Sequence, residues 1–378
     1  MPDEQSTPDL EPARPLPPRV ALIASPRTVA EYPPYLKFLL VGLADEGVPV
    51  LFVCPPRLEI DSLVSPAVEV VRHPAIDIAL LECYNRRLLL QQLDKFRPDV
   101  LHCLCEMTAP LTRWLARHLD IPYLLNVNSI VSRFRLLSLS PGRCAAIIAP
   151  AKTIADSFIA SHPKFADRLH QINIGVFVES KTACFARPEH LPGVVIVPPL
   201  DNQADLQNLY LALHRLVIDG FRFMVAIVSA GRAETAMFKQ LRSLGLLRFV
   251  TVVPRQLGLY SVGSAADIFI APRPSSSFNM HLLTAMSAGS IVVACKGGID
   301  DLVIEGKTAL TFNPDDQLSI YNTLKRIFGS PLEARQIAYE AQQHLRQSHH
   351  VSVMVASTLS LYRQTAQVLL PQTKSPAA

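Results

Sequence analysis

The run VALIASPRTVAEYPPYLKFLLVGLADEGVPVLFV, Val20 to Val53, contains one full period of an alternating pattern. A short apolar stretch (residues 20–24) is followed by a segment of helical periodicity (35–46) and a second apolar stretch (48–53). Short apolar runs without polar alternation read as strands buried on both faces, and parallel neighbours need a helical crossover between them. The run is therefore βαβ, which calls for a parallel sheet covered by helices on both sides.

The pattern continues outward. Strands are expected at 68–71, 99–103, 123–127 and 145–149, with helices around 80–95 and at 109–119, so that residues 19–185 make one doubly wound domain. Between Gly175 and Gly193 the periodicity lapses, and Val194-Val-Ile-Val197 opens a second series. Leu206, Leu209, Tyr210, Leu213, Leu216 and Val217 form one helical stripe ending near Gly220, and further strands read at 223–228, 250–253, 268–271 and 291–294. A second Rossmann-like domain is assigned to 186–350. Residues 351–370 form a helix with Val351, Val355, Leu359, Tyr362 and Leu369 on its apolar face. The acidic, then proline-rich residues 1–18 read as a disordered tail, and residues 371–378 as a C-terminal tail.

Composition narrows the function. With 49% hydrophobic and 18% charged residues in 378, there is ample material for two cores. A net charge of +4 with scattered basic residues gives no nucleic-acid surface. Seven cysteines, odd in number and without a C-x-x-C pair, sit mostly in apolar runs, which implies free thiols in a reducing, cytoplasmic setting. No secretory signal and no run of about 20 apolar residues is evident, so no membrane span is expected, while peripheral membrane contact is left open. The P-loop, G-x-S-x-G, H-E-x-x-H and G-x-G-x-x-G patterns are all missing, and neither a metal nor a cofactor is expected. His102, beside Cys103 and Cys105, is expected in the core or lining the cleft, and His349-His350 on the surface.

In open α/β sheets ligands lie beyond the carboxyl ends of the strands. The richest such segment is Ile268-Phe-Ile-Ala-Pro-Arg-Pro-Ser-Ser-Ser-Phe-Asn-Met-His-Leu-Leu-Thr-Ala-Met-Ser-Ala-Gly289, followed after a strand by Lys296-Gly-Gly-Ile-Asp-Asp301. A strand delivers a loop, a helix begins beside it, and a Gly-Gly turn permits close backbone approach. This frame resembles the donor-binding signature of family-four retaining glycosyltransferases, carried by Pro272, Phe278, Ala285, Met286, Gly289, Gly297 and Gly298. The resemblance implies the GT-B architecture, two Rossmann-like domains facing across a cleft, with a nucleoside diphosphate sugar on the second domain and an acceptor on the first. It makes Ser276, Phe278, Thr284, Gly297, Gly298 and Asp301 the donor-side candidates and His102 and Asn128 the acceptor-side candidates. In proteins of this kind the last helix crosses back to the first domain.

The polar residues of the signature are replaced. Ser276 and Thr284 stand where the family has two glutamates, Asn128 where it has a histidine, and Pro199 and Ala204 where it has an arginine and a lysine facing the diphosphate. The glycine pair after the first strand is missing from Ser25 to Pro34. Each change removes charge, proton transfer or close approach. Arg232, Arg255 and Arg273 are the cations on other loops that could substitute. Two readings follow: a catalytically impaired glycosyltransferase acting on a glycan, lipid or small-molecule acceptor, or a pseudoenzyme that binds a partner glycosyltransferase, a glycan or a nucleotide.

Overall fold

The protein is described from a computed structural model covering residues 16–56, 60, 62–73, 82–131, 137, 139–187, 189–198, 206–229, 234–254 and 266–367. Pro199, Ala204, Arg232 and Arg255 lie outside these residues, as do most of the two tails.

The first domain contains β1 (Val20–Ile23), α1 (Pro26–Glu31), α2 (Pro33–Asp45), β2 (Val50–Cys54), β3 (Glu69–Arg72), α3 (Glu82–Phe96), β4 (Val100–Cys103), α4 (Ala109–Leu119), β5 (Tyr123–Asn126), β6 (Cys144–Ala149), α5 (Lys152–Ser161) and β7 (Leu169–Gln171). The second contains β8 (Gly193–Ile196), α6 (Gln207–Ile218), β9 (Met224–Ser229), α7 (Glu234–Ser243), β10 (Val250–Pro254), β11 (Ile268–Ala271), α8 (Met280–Ala288), β12 (Ile291–Ala294), β13 (Ala309–Thr311) and α9 (Gln317–Gly329). Two long helices, α10 (Pro331–Ser348) and α11 (Val351–Gln367), end the described chain.

The strand orders are β3-β2-β1-β4-β5-β6-β7 and β10-β9-β8-β11-β12-β13, and all pairs are parallel. Renumbered from its own first strand, the second sheet reads 3-2-1-4-5-6 and the first reads the same with a seventh strand added at its edge, the doubly wound order with its switch point between strands 1 and 4. The expected two-domain α/β fold is borne out, and both switch points fall at the same seam. The central strands β1, β4 and β11 are buried throughout, whereas β3, an edge strand, carries exposed Glu69 and Arg72.

The pleat of the second sheet divides its side chains between two cores. Val194 and Ile196, Ile268 and Ile270, and Ile291 and Val293 pack with α6 and α9, while Val195, Phe269 and Val292 join the apolar cluster that runs through the first domain. Helix α10 packs on α8, and α11 packs on α2, β4 and β6 of the first domain. The chain therefore crosses between domains twice, and the crossings touch: Val176 N donates to His349 O at 2.9 Å, and a Cβ on Gly175 would lie 2.4 Å from Val351 Cα. A glycine within α2 has the same cause, since a Cβ on Gly42 would meet Val355 at 2.5 Å.

The expectation for His349 is corrected here. It sits at the second crossing, 5% exposed, with Nδ1 2.8 Å from Ser348 Oγ, and burial with the neighbouring His344 and His350 lowers its pKa to about 4. Only His350 is exposed. Gln342, 1% exposed, ties the first crossing to α8: its amide nitrogen donates to the carbonyls of Glu179, Lys181 and Ser287, and its oxygen accepts from Thr182.

Candidate functional site

Among the described residues, the ends of β1, β4, β5, β6, β11 and β12 deliver the cleft. After β1, the segment that reads as a glycine-free loop folds into the short helix α1. Ser25 and Thr28 form its capping box, with Thr28 N donating to Ser25 Oγ at 3.0 Å and Ser25 N to Thr28 Oγ1 at 3.4 Å. Pro26 occupies the first turn, where a missing N–H costs nothing. Arg27 then reaches the second domain, donating to Ser277 Oγ at 2.8 Å, and the Tyr32 hydroxyl donates to Phe278 O at 3.1 Å. Burial first, then the charges of Glu31 and Glu106, raise the Tyr32 phenol well above its usual pKa and keep it a donor.

After β4 comes Glu106, a residue that no sequence motif marks. One of its oxygens accepts from Asn128 N (2.6 Å), Ser129 N (2.9 Å) and Ser129 Oγ (3.0 Å). The loop after β5, fixed in this way, pairs with the loop after β11 as a short antiparallel ribbon: Phe278 N donates to Asn128 O at 2.8 Å, Ile130 N to Ser276 O at 2.7 Å, and Ser129 lies opposite Ser277.

The sequence candidates divide sharply. Asn128 is buried, and its side-chain amide donates to Leu104 O at 2.9 Å. Thr284 spends its hydroxyl on Met280 O, one helical turn back, at 2.9 Å. Phe278 is core, 5% exposed. Gly298 is required by the protein itself, because a Cβ there would lie 2.4 Å from Ser275 O. Gly297, at φ +106°, is exposed and borders open space: a Cβ added there would find nothing nearer than Pro274 Cγ at 4.0 Å. Ser276 is exposed on the rim.

Asp301 has an unforeseen partner. Helix α5 of the first domain begins after Ala151, which has no side chain to cap it, and Asp301 of the second domain accepts from Thr153 N at 3.0 Å. A carboxylate at a helix start is favourable both as a hydrogen-bond acceptor and as a charge. The capping residue of α5 thus comes from the opposite domain.

The acceptor-side expectation for His102 is corrected. The residue is fully buried in the first domain, its ring nitrogens 2.5 Å from the Tyr362 hydroxyl and 2.8 Å from Asn126 Oδ1, and Asn126 donates onward to Tyr35 at 2.7 Å. Because Asn126 Oδ1 can only accept, Nε2 carries the hydrogen and Nδ1 accepts from Tyr362. Burial lowers the His102 pKa to about 4, so the ring is neutral and structural. Its network ties α11 to the first sheet.

Two cations lie on the loops that carry the donor-side candidates. Arg273, one of the three candidate substitutes, is 2.6 Å from Asp315. Lys296, which the sequence pattern does not single out, is exposed at the end of β12. Among the described residues no cluster of three His, Cys, Asp or Glu side chains could hold a metal ion, and no helix is long and apolar enough to cross a membrane.

Residues 35–180 match the model of Glycosyltransferase Family 4, and residues 192–330 match that of Glycosyl transferases group 1, one model per domain. The chain belongs to the GT-B glycosyltransferases. Sulfoquinovosyl transferase SQD2 of Arabidopsis thaliana is 23% identical over 257 residues, 60% of this chain and 49% of that protein, so the match spans about half the length of the relative. Among solved structures, a glycosyltransferase from Rickettsia africae ESF-5 superposes with a TM-score of 0.73 at 12% identity, covering 92% of this chain and 98% of that one. Anabaena HepE in complex with UDP and glucose gives 0.70 at 16% identity, covering 91% and 99%. Against the family frame, this GT-B chain departs at the polar positions and at the glycine pair after the first strand, while Gly289, Gly297, Gly298 and the Ala285-Met286 pair of the second domain are kept.

Proposed function

We propose that this protein binds a nucleoside diphosphate sugar in the cleft and transfers the sugar to a hydroxyl-bearing acceptor at a strongly reduced rate. Membership of the GT-B glycosyltransferases and the UDP and glucose held by the Anabaena structure support the donor class. The observation behind the impairment is that Thr284 and Asn128, at positions where the family has a carboxylate and an imidazole, direct their side chains to backbone carbonyls of their own domain. Neither group brings charge or proton transfer to the cleft, and preorganised charge usually contributes most to stabilising a transition state. Among the described residues, Lys296, exposed and next to Gly297, is the cation best placed to meet a diphosphate.

Hydrogen bonds and packing across the seam favour a second reading, a non-catalytic module that retains the fold. Calorimetric titration with UDP-, GDP- and ADP-glucose, paired with an assay of donor hydrolysis and glucosyl transfer to an alcohol, separates the two. Impaired transfer predicts binding of at least one donor with turnover about a thousandfold below the ~10 s⁻¹ common among enzymes. Turnover in the ordinary range overturns the impairment. Binding of none of the three overturns the enzyme reading and leaves the module.

A further inference from the structure

We propose that the two domains are clasped shut by their own side chains and backbone, and that Asp301 is the residue that sets the clasp. Among the described residues, five hydrogen bonds cross the cleft: Arg27 to Ser277 Oγ, Tyr32 to Phe278 O, Ile130 N to Ser276 O, Phe278 N to Asn128 O, and Thr153 N to Asp301 Oδ1. On the first domain they come from the ends of β1, β5 and β6; on the second, four meet the loop after β11 and the fifth meets Asp301 on the loop after β12.

The sequence is adapted to this arrangement on both sides. Where the family has glycines after the first strand, α1 occupies the position and aims Arg27 and Tyr32 across the seam. Where α5 lacks a capping side chain of its own, Asp301 supplies one. The Gly-Gly turn that precedes Asp301 is fixed on the ribbon loop, because Ile299 N donates to Ser275 O at 3.0 Å and Gly298 abuts Ser275. Asp301 is thereby linked to the same loop that pairs with residues 128–130. Moving the α5 cap moves the ribbon, and opening the cleft uncaps α5.

Amide hydrogen exchange of the protein alone tests this, because Ile130, Thr153 and Phe278 each donate their backbone N–H across the seam. All three are expected to be strongly protected, although Ile130 is a partly exposed loop residue. Asp301→Ala should speed exchange about tenfold at Thr153, and also at Ile130 and Phe278, which Asp301 does not touch, while Leu101 in the first sheet is unchanged. Asp301→Asn, which keeps an acceptor oxygen, should restore most of the protection. Rapid exchange at Ile130 and Phe278 in the wild type overturns the clasp, and a change confined to Thr153 overturns the role of Asp301 in setting it. If Asp301→Ala does not fold, Arg27→Ala is read at the same amides. Neither outcome depends on nucleotide binding or turnover, so the clasp can fail while the proposed function stands, and the reverse.

Discussion

Glu106 shows how one carboxylate can organise a cleft without being a reacting group. Three donors converge on one oxygen, and two of them are backbone N–H groups. Truncation leaves them unpaired in a partly buried loop, so Glu106→Ala should cost about 2 kcal/mol in urea unfolding, and Glu106→Gln, which keeps a carbonyl oxygen, less than half of that. His102 acts oppositely. Its pKa falls from 6.5 unfolded to about 4 folded, so the unfolded state binds the proton more readily in between. The stability due to the neutral ring is complete above about pH 6.5 and is lost as pH falls towards 4, a loss of up to about 3 kcal/mol. His102→Gln should flatten the acid limb of a stability profile measured from pH 7 to 4, and an unchanged slope would refute this account. Sequence patterning puts His102 at the end of a strand but cannot show that its two partners arrive from β5 and α11. Glu106 escapes such patterning altogether, because no local motif marks a carboxylate whose donors lie more than 20 residues away.

At the level of elements, the central strands are legible because each is a short apolar run, and β11 and β12 fall on the residues that the pattern marks, whereas the three-residue edge strands β7 and β13 are too short to stand out. Helix α1 is not. A six-residue helix has no periodicity to detect, and Ser25-Pro26 reads equally as a turn until the Thr28 half of the capping box is recognised. Ser25→Ala removes the cap and should cost about 1 kcal/mol by thermal unfolding. The segment linking the domains is visible as a lapse in periodicity, yet its order depends on Gln342 in α10, some 160 residues distant. Gln342→Leu keeps the volume but leaves three carbonyls and the Thr182 hydroxyl without this partner, for a loss of about 2 kcal/mol in a denaturant titration.

For the whole molecule, the two sheets and their shared seam follow from the repeated doubly wound order, which sequence patterning implies from the number and spacing of strands. The way the halves are joined does not follow, because it is decided by backbone contacts such as Gly175 on Val351. Gly175→Ala places a methyl group against backbone that cannot swing away, and should lower the midpoint of urea unfolding by the equivalent of about 2 kcal/mol. The return of α11 has a consequence for how the protein is made. The first domain is assembled from two stretches of chain with the entire second domain between them, so during synthesis its sheet emerges long before the helix that covers Tyr35 and His102. For that interval the surface awaiting Met354, Leu359 and Tyr362 is open to water and to other chains, and a messenger truncated after codon 350 would leave it so permanently.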